Sequence, residues 1–377
     1  MHKRILTLIA FLFTLLLCPD AHAEVEDVDS VAAVTDTVSG HSSTRWIKQL
    51  IDNGFHINEP GVDYPRFPRF ALNVYNWGDR VFNSYDPEYV VSTGKNWKAQ
   101  AKTFNWMQNY SFFFPHREQV RISSDFYADV GGYVSFMAVS VGYMFNANEL
   151  LAHNHSKRTN FNLNFTCSRF TIDYTRQTID GGARLTHVGE IFKDTEVSIP
   201  FNGLKTDQKS LMGFYIFNHR RYSHAAAYCY SKYQLKDAGS WVVGFNYLNR
   251  NTTIDFTGLD PELFKPIPDM QMNYHFHYSD YMAIGGYAHS WALKPRVWLL
   301  NLTSLLGLGY KQSKGDSSDG SRNMLALQGR LMGSVVYNHR GLFVALNIKG
   351  YAPFFFNGKY TMINTVLSAE ATVGLRF

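Results

Sequence analysis

From Lys95 onward, apolar and polar residues alternate with period two, the repeat of a strand whose side chains point to opposite faces. The alternation is cleanest toward the C-terminus. Across residues 342–356 the even positions are Leu342, Val344, Leu346, Ile348, Gly350, Ala352, Phe354 and Phe356, with Asn347 and Lys349 among the odd ones. In 325–337 the odd positions are apolar and Gln328, Arg330 and Ser334 share the other face. In 298–310 the even positions carry Trp298, Leu300, Leu302, Leu306, Leu308 and Tyr310. The last segment sets Leu367, Ala369, Ala371, Val373, Leu375 and Phe377 against Ser368, Glu370, Thr372, Gly374 and Arg376.

These segments run for about 13–16 residues, against ~5–6 for a strand of a globular protein. Long strands with an apolar, aromatic-ended face and a polar face bearing Arg and Lys fit a barrel with lipid outside and polar groups or water inside. A soluble sandwich, the competing arrangement, calls for shorter strands and more frequent turns. Connection lengths alternate too. Lys294-Pro295 and 338–341 are tight, whereas 313–322 and 257–271 are long, as two unlike rims require.

Counting back from Phe377 predicts strands near 361–377, 341–356, 323–338, 296–312, 276–293, 240–256, 222–235, 209–218, 160–177, 127–146, 108–123 and 95–106. The expected fold class is all-β: an antiparallel transmembrane β-barrel of about 12 strands, in the range 10–14, with a short helical N-terminal segment. This parity makes 177–209 a long periplasmic excursion, unless 182–191 adds strand pairing.

Ahead of the strands the pattern differs. Residues 1–23 have the layout of a secretory signal peptide: basic His2-Lys3-Arg4, apolar Ile5–Leu17, and Ala21-His22-Ala23 as a small-x-small site, with cleavage expected near Ala23/Glu24. Cys18 brings a lipoprotein reading into competition, but Leu17 is larger than the residue such a site takes. Residues 24–94 read as a flexible leader followed by a short helical periplasmic or plug segment. One helix is expected at 44–53, with Trp46, Ile47, Leu50 and Ile51 on one face. A second is expected at 68–84, where Phe70, Val74, Trp77 and Val81 recur at helical spacing. Residues 95–377 form the expected barrel.

Composition sharpens the membrane reading. The chain holds 29 Phe, 23 Tyr and 7 Trp, and barrels place Tyr and Trp in girdles at both lipid interfaces. The net charge of +5 is scattered, which excludes a nucleic-acid partner as an expectation. Cys167 and Cys229 stand on strand-like segments, open either to two free thiols or to one bridge.

Chemistry is sparse. His275 and His277 share a strand face, as two metal ligands would, but Asp280 has the opposite parity. His153 and His155 lie in a polar loop. Ser223 and His224 are adjacent, so on a strand they would face apart, while Ser279 shares a face with His277. The sequence holds no Gly-x-Ser-x-Gly, no His-Glu-x-x-His, no phosphate loop and no paired zinc cysteines. No catalytic, cofactor-binding or metal residue is therefore assigned, and no cofactor is expected. Lys349, Arg330, Arg376, Glu370 and Asp280 are expected on the inner face, either lining a channel or pairing across a narrow lumen.

Several stretches resemble an uncharacterised family of outer-membrane barrels from gut-type Gram-negative bacteria, a domain of unknown function. They are 86–90 (Asp-Pro-Glu-Tyr-Val), 94–98 (Gly-Lys-Asn-Trp-Lys), 136–143, 200–204 (Pro-Phe-Asn-Gly-Leu), 230–234 (Tyr-Ser-Lys-Tyr-Gln) leading into Ala238-Gly239-Ser240, and 374–377 (Gly-Leu-Arg-Phe). The resemblance spans about residues 80–377 and implies fold and an outer-membrane location, with no activity to carry over. The expected function is a non-enzymatic transport, binding or structural barrel, with a lipid or lipopolysaccharide acyl hydrolase as the alternative. Expected partners are outer-membrane lipid and lipopolysaccharide, and the outer-membrane assembly machinery during insertion.

Overall fold

The computed structural model describes residues 45–377 except 54–56, 58–61, 83, 96, 137–138, 148–156, 191–195, 266, 268–269, 319–321 and 357–358. The signal peptide, the leader through residue 43, and His153 and His155 lie outside the described residues. Two helices come first: α1 (Arg45–Asp52) and α2 (Arg66–Phe82), near the expected 44–53 and 68–84. Pro68 stands in the first turn of α2, where a missing N–H leaves no intrahelical bond unmade.

The strands and one further helix follow in order: β1 (Val90–Ser92), β2 (Trp97–Phe113), β3 (Glu118–Ser124), β4 (Tyr127–Phe136), β5 (Val139–Asn146), β6 (Lys157–Thr166), β7 (Phe170–Asp180), β8 (Ala183–Glu190), β9 (Glu196–Phe201), β10 (Leu204–Ile216), α3 (His224–Tyr228), β11 (Lys232–Gln234), β12 (Ala238–Asp255), β13 (Asn273–Lys294), β14 (Trp298–Ser313), β15 (Asn323–His339), β16 (Leu342–Phe356) and β17 (Thr361–Arg376). β12 to β17 are successive antiparallel neighbours close to the expected segments. β17 then pairs with β2, so the last wall strand meets the first.

The sheet curls shut by a route the alternation did not reveal. β7 passes through Gly181-Gly182 into β8, and the ladder of β7 with β10 carries on as β8 with β9. At Gly181 and Gly182 the backbone takes φ of 77° and 66°, the left-handed region that glycine enters without strain. The Tyr127 hydroxyl and the Asp125 N–H both donate to the Gly182 carbonyl there, at 3.0 and 2.8 Å. β8 thereby turns to pair with β3, which closes the ring. Among the described residues the wall thus has two levels. Nearest the termini run twelve strands: β2, β4 to β7, β10 and β12 to β17. At the far rim, β3, β8 and β9 continue the sheet from β2, and the Asp255 N–H to Gly203 carbonyl bond, 2.9 Å, ties the turn between β9 and β10 to the end of β12.

Several expectations are corrected. Residues 95–106 and the start of 108–123 are one strand, β2, with β3 as its return. Residues 127–146 are a hairpin, β4 and β5; apolar Met137-Ala138 carries no turn signal, so the alternation read straight through. Residues 177–209 are no periplasmic excursion, because they build the far rim. Residues 222–235 are no wall strand.

The lipid-facing phase holds. Leu342, Val344, Leu346 and Ile348 are exposed, as are Leu302, Leu306 and Leu308 on β14 and Leu367, Val373 and Leu375 on β17. Aromatic pairs bracket this belt. Trp241 meets Tyr287 edge-on, and Trp298 packs tilted against Tyr337, near the terminal rim. Tyr247 packs on Tyr281, which sits opposite Tyr310, at the other edge. From Tyr281 to Trp291, ~3.3 Å per residue on a strand tilted about 40° gives a height of about 25 Å, the apolar band of a membrane barrel. No helix among the described residues is long and apolar enough to cross a membrane; the strands do the crossing.

Beyond Tyr281 the faces change character. The outer positions become Ser279, His277 and His275 on β13, Asn249, Asn251 and Thr253 on β12, and Lys209, Asp207 and Lys205 on β10. The inner positions become Tyr278, Phe276 and Tyr274, each essentially fully buried. The far-rim level is thus a collar that stands clear of the belt, polar outside and aromatic inside.

Candidate functional site in the lumen

The barrel interior is the one place where the inward charges converge, and two plugs divide it. The plug near the terminal rim is residues 217–237. Ser223 caps α3, accepting from the Ala226 N–H at 3.2 Å and donating to the Tyr85 hydroxyl at 3.3 Å. Strand β11 pairs with β1, and the Asp86 N–H donates to the Arg220 carbonyl at 2.8 Å, so the chain before the barrel is woven into the same plug. Gln234 locks it from within, accepting from the Ser223 N–H and donating to the Arg221 and Lys236 carbonyls.

Two wall cations seize the carbonyls left open past the last helical turn. Lys98 Nζ lies 2.7 Å from the Cys229 carbonyl, and Arg376 Nε 2.8 Å from the Tyr230 carbonyl. Arg376 also donates to Asn338 Oδ1 at 2.8 Å, with its guanidinium 4.3 Å from the Phe343 ring. Tyr230 is held at φ 59°, a left-handed conformation that an aromatic residue keeps only when its surroundings fix it. Its hydroxyl meets Asn347. Asn301 donates to the Tyr222 hydroxyl and accepts from that of Tyr228, both at 3.0 Å. Ala226, Ala227 and Tyr230 pack on Leu299, Val336, Phe343 and Ala345. Small alanines let the helix approach the wall.

His224 lies inside this plug, edge-on to Phe214 and 4.4 Å from the Tyr228 ring. Burial pushes its imidazole down to about 4, with Asp173 opposing and Lys349 adding. Burial likewise pushes the Tyr222 hydroxyl up to about 12.

The second plug is the collar core. Phe112, Tyr274, Phe276, Phe355 and Tyr360 form one ring cluster, with centroid separations of 5.2–6.4 Å. Phe256 and Phe264, from the connection between β12 and β13, fold over it.

Between the plugs lies a polar layer. Arg250, fully buried, donates to Gln208 at 3.0 Å and to the Tyr278 hydroxyl at 3.3 Å, and Gln208 donates to the Tyr351 hydroxyl at 2.7 Å. Lys311 and Asp280 pair at 2.8 Å, each 1% exposed, with the ammonium 3.6 Å above the Tyr278 ring. Lower down, Glu370 takes Lys102 at 3.2 Å, and Lys349 Nζ lies 5.9 Å from the Tyr228 ring. Arg330 covers Tyr351 at 5.3 Å.

All five charges expected on the inner face are there, and they divide by task. Arg376 grips the plug, Asp280 and Glu370 are paired, and Arg330 and Lys349 lie against tyrosines. Lys98, Tyr222 and Tyr230 were not anticipated, and His224 was expected only as the neighbour of Ser223 on a strand. The signal was present in the lapse of period two across 222–235 and in three successive alanines after a capping serine.

The other candidates are not brought together. His277 Nδ1 meets Asp316 at 2.8 Å, while His275 is held by Asn251 Oδ1 and the Asp316 carbonyl. Asp280 faces the lumen, away from both. No cluster of three metal-ligating side chains occurs among the described residues. Ser279 accepts from Asn249. Ser223 and His224, expected on opposite faces of a strand, sit instead at the head of α3. Among the described residues no serine hydroxyl bonds a histidine nitrogen. Cys167 and Cys229 are free thiols, and burial raises both.

Residues 84–377 match the family model described as Domain of unknown function (DUF4421). The chain belongs to that family, which bears out the resemblance read from its sequence. No functionally curated protein matches it. Similar solved structures include the outer membrane protease OmpT from Escherichia coli (8% identity, 75% of this chain and 97% of that one, TM-score 0.34). The translocator domain of the autotransporter NalP from Neisseria meningitidis matches at 10% identity (82% and 96%, TM-score 0.29). The beta domain of the Bordetella autotransporter BrkA matches at 12% (75% and 100%, TM-score 0.26). Likeness at this level transfers no activity.

Proposed function

We propose that this chain is a sealed outer-membrane barrel that serves as a structural or binding platform, and not as an open pore or an acyl hydrolase. One observation carries the reading: the lumen is filled twice in series, by the gripped 217–237 segment and by the aromatic collar core. Either seal alone would stop a hydrated solute. The terminal rim, with its tight turns, faces the periplasm, and the collar faces outward. Lipid and lipopolysaccharide surround the belt, and the outer-membrane assembly machinery handles the chain during insertion. The surface left for a partner is the polar collar.

Planar-bilayer recording tests this. The unaltered protein is expected to give no stepwise conductance, and replacing 218–236 by a short Gly-Ser turn is expected to leave it closed, because the collar core remains. Steps from the unaltered protein would overturn the reading. Release of fatty acid from outer-membrane lipid would restore the hydrolase.

A further inference from the structure

Helix α2 lies ahead of the family-matched region and is amphipathic in a particular way. Phe70, Val74, Trp77 and Val81 recur at i, i+4, i+7 and i+11, so one stripe is apolar and half aromatic. Arg66, Arg69, Asn73, Asn76 and Arg80 form a polar arc along one flank of that stripe, and the single acid, Asp79, lies on the side away from it. Phe70 is 48% exposed and Trp77 57%, and Arg66, Arg69 and Asn73 are exposed as well.

The helix is also tethered at a defined height. Four residues after Phe82, the Asp86 N–H bonds the Arg220 carbonyl in the plug at the terminal rim. At ~3.5 Å per residue, the helix end lies within about 14 Å of that anchor. The same rim carries Trp241, Trp291 and Trp298, the aromatic edge of the lipid belt. An arginine-bearing helix with Trp and Phe beside its basic arc has the composition of one that lies in a membrane interface.

We infer that α2 docks on the lipid surface beside the terminal rim, its aromatic stripe among acyl chains and its arginines on anionic phospholipid headgroups. This rests on the barrel reading. It gives the barrel a second membrane contact that fixes the approach of the leader, in place of a cap over the lumen. The occupant is lipid because the stripe continues the belt's own aromatic edge and because the charge flanking the stripe is basic.

Site-directed spin labelling of the full mature chain in vesicles tests it, in a Cys167→Ser, Cys229→Ser background. Nitroxides go on Phe70→Cys, Asn76→Cys and, in the belt, Leu346→Cys. With phosphatidylglycerol present, the label at 70 should collide with oxygen more than with a water-soluble nickel chelate, as at 346, and the label at 76 should show the reverse. Omitting phosphatidylglycerol, or introducing Arg66→Gln with Arg69→Gln, should cut the oxygen-to-nickel ratio at 70 several-fold. A label at 70 that is water-exposed, or shielded from both reagents by protein, while 346 reports lipid, overturns the inference alone. A water-exposed label at 346 overturns the barrel reading and the inference with it.

Discussion

One strand, β13, shows two solvent problems solved with the same period. Between Tyr281 and Trp291 its outer positions are apolar or interfacial and face lipid. Between Asn273 and Ser279 its outer positions are His and Ser, while Tyr274, Phe276 and Tyr278 turn inward, 0–1% exposed. The belt gains little from an apolar interior, since lipid already covers its apolar face. The collar stands in water and must build a core of its own, as a soluble domain does. The difference teaches that alternation alone does not say which face is inside. The identity of the flanking aromatics and the point where charge enters the outer positions do.

The largest expected effect falls on the collar. Phe276→Ala removes a ring packed against Phe112, Tyr274, Phe355 and Tyr360, and should cost about 3–5 kcal/mol. The expected readout is protease cutting in 257–271 with the belt still resistant. Loss of heat-modifiability on a gel would instead make collar and belt one cooperative unit. Leu346→Arg tests the belt. Its outer position near the midplane should carry about 2–4 kcal/mol, or fail to insert. Wild-type insertion and melting would place Leu346 away from lipid.

These two variants also separate what the sequence disclosed from what it hid. Leu346 was legible because lipid demands an unbroken apolar face, and tight turns such as Asn338–Gly341 advertise themselves. The plug was not legible, because 222–235 has wall-strand length and its anchors, Lys98 and Arg376, look like any other inward charge. Which carbonyl they meet is a tertiary fact. The far rim was hidden for a related reason: the β7–β8 bend needs only Gly181-Gly182, and β3 pairs with β8 across some sixty residues of chain. Parity from miscounted strands then put 177–209 at the wrong end, although the all-β barrel of 10–14 strands was right.

The lower plug gives a pH test the collar lacks. His224 is 4% exposed, and burial lowers its imidazole from 6.5 to about 4. Its folded form therefore binds fewer protons than the unfolded one across that window. Stability is fully present above 6.5 and is lost as pH falls through 4, by at most about 3 kcal/mol. Plug release, read by modification of Cys229, should rise toward pH 4, and His224→Gln should flatten the profile. A flat profile in the unaltered protein would move the seal's weak point elsewhere.

Orientation carries no energy of its own but decides which solvent the collar meets. In the 313–322 loop Ser317 is 6% exposed and donates to the His275 carbonyl at 3.0 Å, so it is closed to a label. Gly315 is exposed and open to one. In intact cells Gly315→Cys should react with an impermeant maleimide and His339→Cys should not. The opposite result inverts the barrel.

The smallest effect is the most discriminating. Asn249 holds an outer position two residues above Tyr247 and is partly exposed, with its amide donating to the Ser279 hydroxyl at 3.0 Å. If the lipid edge runs at the Tyr247, Tyr281 and Tyr310 level, Asn249→Arg places its guanidinium in water or among headgroup phosphates. The change should then stay within about 1 kcal/mol, mostly the lost hydrogen bond. The same arginine at Leu346 should cost several times more. Midpoints of thermal unfolding for the two variants in the same lipid measure the contrast directly. Equal losses would mean that the belt reaches beyond the tyrosines and that the polar outer face of the collar is buried in something other than water.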